Sequence, residues 1–259
     1  MQAMATPVWP KPLLAGWRGI RRVWRTGRVL VHIAAGFALT LATGALFVQH
    51  RPAQQRAARW WLHRLTKILA VEITVTGTPT KTAALFVANH VSWLDIPVLG
   101  GVAPIHFLSK AEVAQWPLIG RLATAAGTLY IRRGKGEIRQ RTRQIGEHIA
   151  AGRSVLVFPE GTTTNGGDVN AFHTPLFMAA TANGHAVQPV AIRYVTADGS
   201  LHPHVPFIGD DAFHTHLWRL LNEERIFVRV HFLPPVATDG RDHKSLAAAV
   251  HAQVRGLIT

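Results

Sequence analysis

Ala84-Leu-Phe-Val-Ala-Asn-His-Val-Ser-Trp-Leu-Asp95 is the stretch on which the reading of this chain turns. Leu85 to Ala88 form an apolar run of the length of a short buried strand, and Asn89 and His90 end it. Ser92 takes the place of a helix N-cap, with Asp95 three positions on as its capping-box partner. His90 is therefore expected at a strand-to-helix turn, where side chains face a cleft at the carboxyl end of a sheet. On one regular helix His90 and Asp95 would point to opposite sides, since each step turns about 100°. Across a turn they can meet. An imidazole held by a carboxylate is the basic unit of general-base catalysis on a hydroxyl. Taken alone, the pair reads more simply as a partly buried histidine beside a helix cap.

Outward from this stretch, apolar runs of strand length alternate with segments of helical period. Strands are expected at 71–76, 84–88, 106–109, 128–132, 154–158, 186–194 and 226–232. Helices are expected near 93–100, 117–125, 135–151, 171–183, 211–222 and 243–257. This alternation predicts an α/β domain over 71–259, a twisted, largely parallel sheet of about seven strands flanked by helices. No internal repeat or low-complexity tract interrupts it.

A second strand-to-turn unit lies at Ser154-Val-Leu-Val-Phe-Pro-Glu-Gly-Thr-Thr-Thr-Asn-Gly-Gly167. Pro159 and Gly161 force a turn that presents Glu160, Thr162, Thr163 and main-chain amides. If its strand lies parallel beside 84–88, both turns open on one sheet edge. Amides and hydroxyls in such a turn suit an anion or a developing oxyanion. By itself, a Pro-Glu-Gly turn is also an ordinary chain reversal.

Residues 1–70 differ in character. In 1–28, Trp9, Trp17 and Trp24 are interleaved with Lys11, Arg18, Arg21, Arg22, Arg25 and Arg28, whereas 29–49 contain no Lys, Arg, Asp or Glu. That apolar length matches the ~20 residues needed to cross a bilayer. A cleaved signal peptide fits poorly, because the apolar part starts late and no small-residue cleavage site precedes His50 and Arg51. A basic, Trp- and Leu-rich helix is expected next, near 53–70, carrying Arg56, Arg59, Arg64 and Lys67 beside Trp60, Trp61 and Leu65. Positive charge on both sides of 29–49 gives a single span no clear orientation. A helical hairpin entering and leaving one leaflet removes the conflict. The expectation is thus a membrane-embedded hairpin over 1–70 facing anionic lipids, with a single transmembrane helix as the alternative.

Lys and Arg total 28 against 14 Asp and Glu, a formal net charge of +14 that asks for an anionic partner. Nucleic acid is disfavoured, since the basic residues cluster beside the uncharged run and no nucleic-acid-binding motif is present. The absence of cysteine excludes disulfides, thiolate-zinc sites and thiol nucleophiles. The 15 histidines include no His-Glu-x-x-His, and the pairs His202/His204 and His214/His216 lie in Pro-rich or surface-like sequence, so no metal is expected. A non-catalytic membrane scaffold would need the hairpin but not His90, Asp95 and Glu160 together.

The two turns together resemble the glycerolipid acyltransferase family, whose best-known members are the lysophosphatidic acid acyltransferases. Asn89, His90 and Asp95 match its Asn-His-x-x-x-x-Asp motif. Lys110-Ala-Glu-Val-Ala-Gln-Trp-Pro-Leu-Ile-Gly120 is similar to its Lys-x-Glu run, and Gly127 to Arg133 to its strand ending in Arg. Phe158-Pro-Glu-Gly-Thr162 matches the third block and Val187-Gln-Pro-Val-Ala-Ile192 resembles the fourth. Two positions depart from the family pattern. Thr163 stands where Arg usually follows, and Phe172-His-Thr-Pro175 replaces Phe-Lys-x-Gly. Both missing cations are ones the resemblance would assign to an acidic acceptor headgroup. The acceptor it implies is therefore either 1-acyl-glycerol-3-phosphate, giving phosphatidic acid, or a lysolipid without that phosphate, such as lyso-ornithine lipid.

The resemblance implies a membrane-bound O-acyltransferase without cofactor, using acyl-CoA or acyl carrier protein (acyl-ACP) as donor, with its catalytic domain on the cytoplasmic side of a bacterial-type membrane. His90 would deprotonate the lysolipid hydroxyl and Asp95 would steady the imidazolium. Substrate binding would fall to Asn89, Ser92, Lys110, Arg133, Glu160, Gly161, Thr162 and Thr163. Of these, Ser92 is expected chiefly as the cap rather than as a nucleophile.

Overall fold

A computed structural model describes residues 11–45, 51–131 and 137–259. The chain begins with two long helices, α1 (Lys11–Ala42) and α2 (Pro52–Ile68). The seven strands follow: β1 (Val71–Thr76), β2 (Leu85–Ala88), β3 (Ile105–Lys110), β4 (Leu129–Ile131), β5 (Ser154–Val157), β6 (Val187–Val195) and β7 (Ile226–Phe232). Among them are α3 (Asp95–Val102), α4 (Ile119–Ala125), α5 (Glu137–Ala150), α6 (Met178–Thr181) and α7 (Phe213–Leu220), with α8 (His243–Arg255) closing the chain.

The strands form one sheet in the order β1-β7-β6-β2-β5-β3-β4, with every neighbouring pair parallel except β6 and β7. All four residues of β2 are buried. Phe86 and Ala88 pack into one core with Leu94, Leu99, Leu156, Ile192 and Tyr194. Leu85 and Val87 pack into the other with Ile145, Val155, Phe177, Leu246 and Val250. A strand that is apolar at every position is what a sheet covered on both faces requires. After β2 the chain leaves toward β3 on one side, and after β5 it crosses to β6 on the other. The β2 and β5 exits therefore diverge at neighbouring strand ends, the topological switch point where α/β sheets open a crevice.

Two local expectations are corrected. The segment 171–183 is not one helix: a 3-10 turn, Thr174–Phe177, leads into the short α6. Pro175 lacks the N–H that an extended helix would need and sits in the first turn, where this is harmless. The basic segment and the apolar segment share α1, because after Pro12 no proline interrupts it. Residues 46–50 of the expected apolar run lie outside the described residues. Among the described residues no helix is long and apolar enough to cross a membrane, which removes the support for the single-span alternative.

The two N-terminal helices pack together at Gly36, where an added Cβ would meet Trp61 Nε1 at 2.7 Å. The Trp61 indole N–H donates to the His32 carbonyl at 2.8 Å and its ring stacks on the His32 imidazole. Arg25 of α1 is buried against the end of α7 and donates to the carbonyls of Leu221, Glu223 and Glu224. A guanidinium at a helix C-terminus meets carbonyls that have no partner within the helix. The helix pair is thus tied into the sheet domain through named contacts.

Candidate active site

The loop leaving β2 carries Asn89, His90, Val91 and Ser92, and the helix it feeds begins with Asp95. Asp95 is fully buried, and its carboxylate collects four donors. Oδ2 accepts from His90 Nδ1 at 2.7 Å, from the Val91 amide at 2.8 Å and from the Ser92 amide at 3.1 Å. Oδ1 accepts from the Tyr194 hydroxyl at 2.8 Å. Burial and the Asp95 charge hold the Tyr194 hydroxyl well above its ordinary pKa, so it stays a donor. A carboxylate at the first position of α3 also faces the positive end of that helix.

With Nδ1–H directed at Asp95, Nε2 is left as the basic nitrogen of His90. The imidazole stacks on Phe158 with centroids 4.0 Å apart and planes 12° from parallel. Its side chain is 20% exposed, whereas that of Asp95 is wholly covered. The His90 main chain is clamped from the β5 side. Its amide donates to Glu160 Oε1 at 2.7 Å, and its carbonyl accepts from the Thr164 amide at 2.8 Å. Tautomer, ring plane and backbone are therefore each fixed by a separate contact.

The β2–β5 pairing is parallel, Leu85 opposite Val155 and Val87 opposite Val157, so the two turns do open on one sheet edge. Their other residues are placed as follows. Asn89 is fully buried; its amide donates to the Ile192 carbonyl at 2.9 Å and accepts from the Ile192 amide at 2.8 Å, so its side chain prolongs β2 against β6. That use engages both ends of its side chain. Ser92 is also buried and does not cap α3: its Oγ accepts from the Leu94 amide at 3.3 Å, and the helix starts at Asp95. Asp95 does reach back to the Ser92 amide, which is half of a capping box.

Glu160 is buried, and its second oxygen accepts from the Asn170 amide at 2.7 Å. Burial raises its pKa, against the lowering effect of its two amide donors. It braces two loops, the one after β2 and its own. Gly161 has φ +71°, and a Cβ there would meet His173 Nε2 at 2.9 Å, so glycine is required by both backbone and space. Its amide donates to the Phe158 carbonyl at 3.2 Å and closes the turn. Thr162 is exposed at the turn's tip. The Thr163 hydroxyl donates to the Phe207 carbonyl, which ties this loop to the segment before α7. Lys110 ends β3, and nothing of its side chain is described; Arg133 lies outside the described residues.

Tyr194 and Phe158 were not singled out in the sequence as parts of the site. The signal for Tyr194 was present, because a tyrosine in an otherwise apolar buried strand must find its hydroxyl a partner. A third contact is equally indirect: the Trp93 indole N–H donates to His216 Nδ1 at 2.9 Å, which ties the β2 exit loop to α7. Among the described residues, no group of three or more His, Asp or Glu side chains is placed to hold a metal ion.

The acyltransferase family model matches residues 72–193. The lyso-ornithine lipid O-acyltransferase of Pseudomonas aeruginosa is 45% identical, over 91% of this chain and 93% of that one. The chain belongs to the acyltransferase family. A second relative of this enzyme, the lyso-ornithine lipid O-acyltransferase of Rhodobacter capsulatus, is 36% identical over 97% of each chain. The 1-acyl-sn-glycerol-3-phosphate acyltransferase of Neisseria meningitidis is 32% identical over 73% of this acyltransferase and 75% of its own length. The crystal structure of the 1-acyl-sn-glycerophosphate acyltransferase of Thermotoga maritima superposes with a TM-score of 0.70 over 95% of this chain and 96% of that one. At 21% identity that likeness establishes the shared α/β fold.

Proposed function

We propose that this acyltransferase moves a fatty acyl group from a thioester donor to the free hydroxyl of lyso-ornithine lipid, with His90 as general base. The observation that carries the chemistry is the 2.7 Å contact between His90 Nδ1 and the buried Asp95 carboxylate, which leaves Nε2 as the proton acceptor. As the acceptor oxygen attacks the thioester carbonyl, its proton passes to Nε2. Collapse of the tetrahedral adduct breaks the carbon–sulfur bond, and the imidazolium returns the proton to the departing thiolate. Asp95 steadies the imidazolium throughout. The donor is acyl-CoA or acyl-ACP.

The choice of acceptor is supported by relatives that align over more than nine-tenths of their own length and are named for lyso-ornithine lipid, those of Pseudomonas aeruginosa and Rhodobacter capsulatus among them. The absence of the Arg and Lys that Thr163 and His173 replace argues the same way. The competing acceptor, 1-acyl-glycerol-3-phosphate, has the Neisseria meningitidis relative in its favour. Membrane association is supported by the apolar face that α1 and α2 leave exposed, with Val23 at 72%, Trp24 at 66% and Trp60 at 52% exposure, beside basic residues suited to anionic headgroups. Both helices would then lie in one leaflet.

The test is a panel of lysolipids with and without a terminal phosphate, each assayed with acyl-CoA and acyl-ACP. Lyso-ornithine lipid should be the best acceptor, and His90→Ala should lower turnover ~10²–10⁴-fold while the protein stays folded. Wild-type turnover in purified His90→Ala would refute the mechanism, and preference for 1-acyl-glycerol-3-phosphate would refute the choice of acceptor.

A further inference from the structure

A cavity of about 380 Å³ opens beside the active-site loops, within the ~300–1,000 Å³ usual for small-molecule sites. Asn165, His202, Pro206, Ile208, Asp211 and Arg219 are among the residues that line it. All but Asn165 fall beyond the segment matched by the family model, residues 72–193.

The cavity is built onto the catalytic loop by short links. Asn165 directly follows Thr164, whose amide holds the His90 carbonyl. Pro206 and Ile208 flank Phe207, whose amide donates to the Val91 carbonyl at 3.0 Å and whose carbonyl takes the Thr163 hydroxyl. His216 fixes the same segment from α7: with Nδ1 accepting from Trp93, its Nε2–H faces the carbonyls of Val205 and Pro206 at 3.1 and 3.2 Å. A group held in this cavity therefore has a defined position relative to His90.

Its lining charges are one guanidinium and one carboxylate. Arg219 Nη2 lies 2.7 Å from Asp211 Oδ2, while Nη1 is held loosely at 3.4 Å from Oδ1. His202 stands beside them, buried, with Nδ1 accepting from the His204 amide and Nε2 3.6 Å from Glu223. Burial lowers the pKa of His202, so this ring adds little positive charge near neutrality. Among the described residues lining the cavity, a phosphate dianion would meet Asp211 with no cation beyond an arginine already paired to it. A group that brings one carboxylate and one ammonium can instead exchange partners with the existing pair, each charge finding its opposite.

We propose that this cavity receives the zwitterionic amino-acid headgroup of the acceptor, its carboxylate on Arg219 and its ammonium on Asp211. This deepens the lyso-ornithine lipid reading and rests on it. The site would select the acceptor, while the His90 loop performs the transfer.

The experiment compares lyso-ornithine lipid with two derivatives, one with the carboxylate blocked as a methyl ester and one with the free amine acetylated. In the wild type each block should lower kcat/KM about 10- to 100-fold. Arg219→Gln should lose a similar factor on the unmodified acceptor, chiefly in KM, and no longer distinguish acid from ester. Asp211→Asn should likewise lose discrimination against the acetylated amine. The donor KM should not move in either variant. Because Arg219 and Asp211 also hold each other, Ile208→Trp at the exposed rim serves as a second probe, narrowing the cavity with the ion pair intact. It should raise the acceptor KM alone. A wild type indifferent to both blocks, or variants that keep the wild-type acid-to-ester ratio and acceptor KM, would overturn the proposal while leaving the acceptor reading standing. A wild type that does not acylate lyso-ornithine lipid at all would remove that reading, and this one with it.

Discussion

Tyr194→Phe removes one oxygen atom and little volume from the core, so its effect comes close to isolating a single contact. The Tyr194 hydroxyl is the donor to Asp95 Oδ1, 2.8 Å away, whereas the other three donors converge on Oδ2. Both residues are enclosed, with Asp95 at 0% and Tyr194 at 3% exposure, so water has no ready route to replace the lost donor. A hydrogen bond to a buried charge is worth about 1.5–3 kcal/mol. At about 2–4 °C per kcal/mol for a chain of this size, the variant should melt about 3–12 °C lower. Turnover should fall less than in His90→Ala, because Oδ2 still holds the imidazole. We expect about a tenfold loss in kcat, below the ~10²–10⁴-fold for loss of the general base itself, with acceptor KM unchanged. Calorimetry or circular dichroism reads the first effect and a thiol-release assay the second. If Tyr194→Phe melted and turned over like the wild type, Asp95 would not depend on its Oδ1 donor, and the account of how the imidazole is held would be wrong.

Asn89→Ala should destabilise the protein by about 2–4 kcal/mol, since it strands both the amide and the carbonyl of Ile192 inside the core; a denaturant midpoint equal to wild type would show that the β2–β6 junction does not need it. Glu160→Gln can keep one of the two amide bonds but presents an NH₂ to the other, and about 1–3 kcal/mol should be lost at neutral pH. Because burial raises the folded-state pKa of Glu160, its titration favours the fold most below the unfolded carboxylate value and that advantage is lost as pH rises through the raised pKa. The stability gap between wild type and Glu160→Gln should therefore narrow with rising pH, and a gap that widened instead would contradict the raised pKa. Gly161→Ala meets a positive φ and the His173 ring together, and should cost ~1–3 kcal/mol with a larger loss of kcat than of stability, read by parallel melts and assays.

Much of the sheet was legible because strands buried on both faces are apolar at every position. The ranges 71–76 and 226–232 coincide with β1 and β7, and the other strands agree to within a few residues. The order in which those strands pair was not legible, since apolar runs carry no record of their neighbours. Capping signals misled at Ser92, where a serine within two residues of several amides chose Leu94 and left the helix to begin at Asp95. Composition separated 1–28 from 29–49, but a change of polarity does not break a helix, and α1 runs through it. Tyr194 lies 99 residues from the carboxylate it supports, a pairing that local pattern does not encode.

The way polar atoms are used inside the site separates two jobs. Asn89 is engaged with Ile192, Asp95 with four donors, Glu160 with His90 and Asn170, and Thr163 with Phe207. Of the residues nominated on the two turns, His90 and Thr162 alone turn a polar side chain outward among the described residues. The spacing Asn-His-x-x-x-x-Asp and the run Phe-Pro-Glu-Gly-Thr are therefore best understood as a frame that holds one imidazole, with its amide, carbonyl, ring face and Nδ1 each engaged. A frame so fully occupied with itself has few groups left to recognise a headgroup. Any acceptor preference in this enzyme must be written mostly on other residues, and the segment from Leu201 to Arg219, bonded directly to the frame at Val91 and Thr163, is where the fold provides room for it.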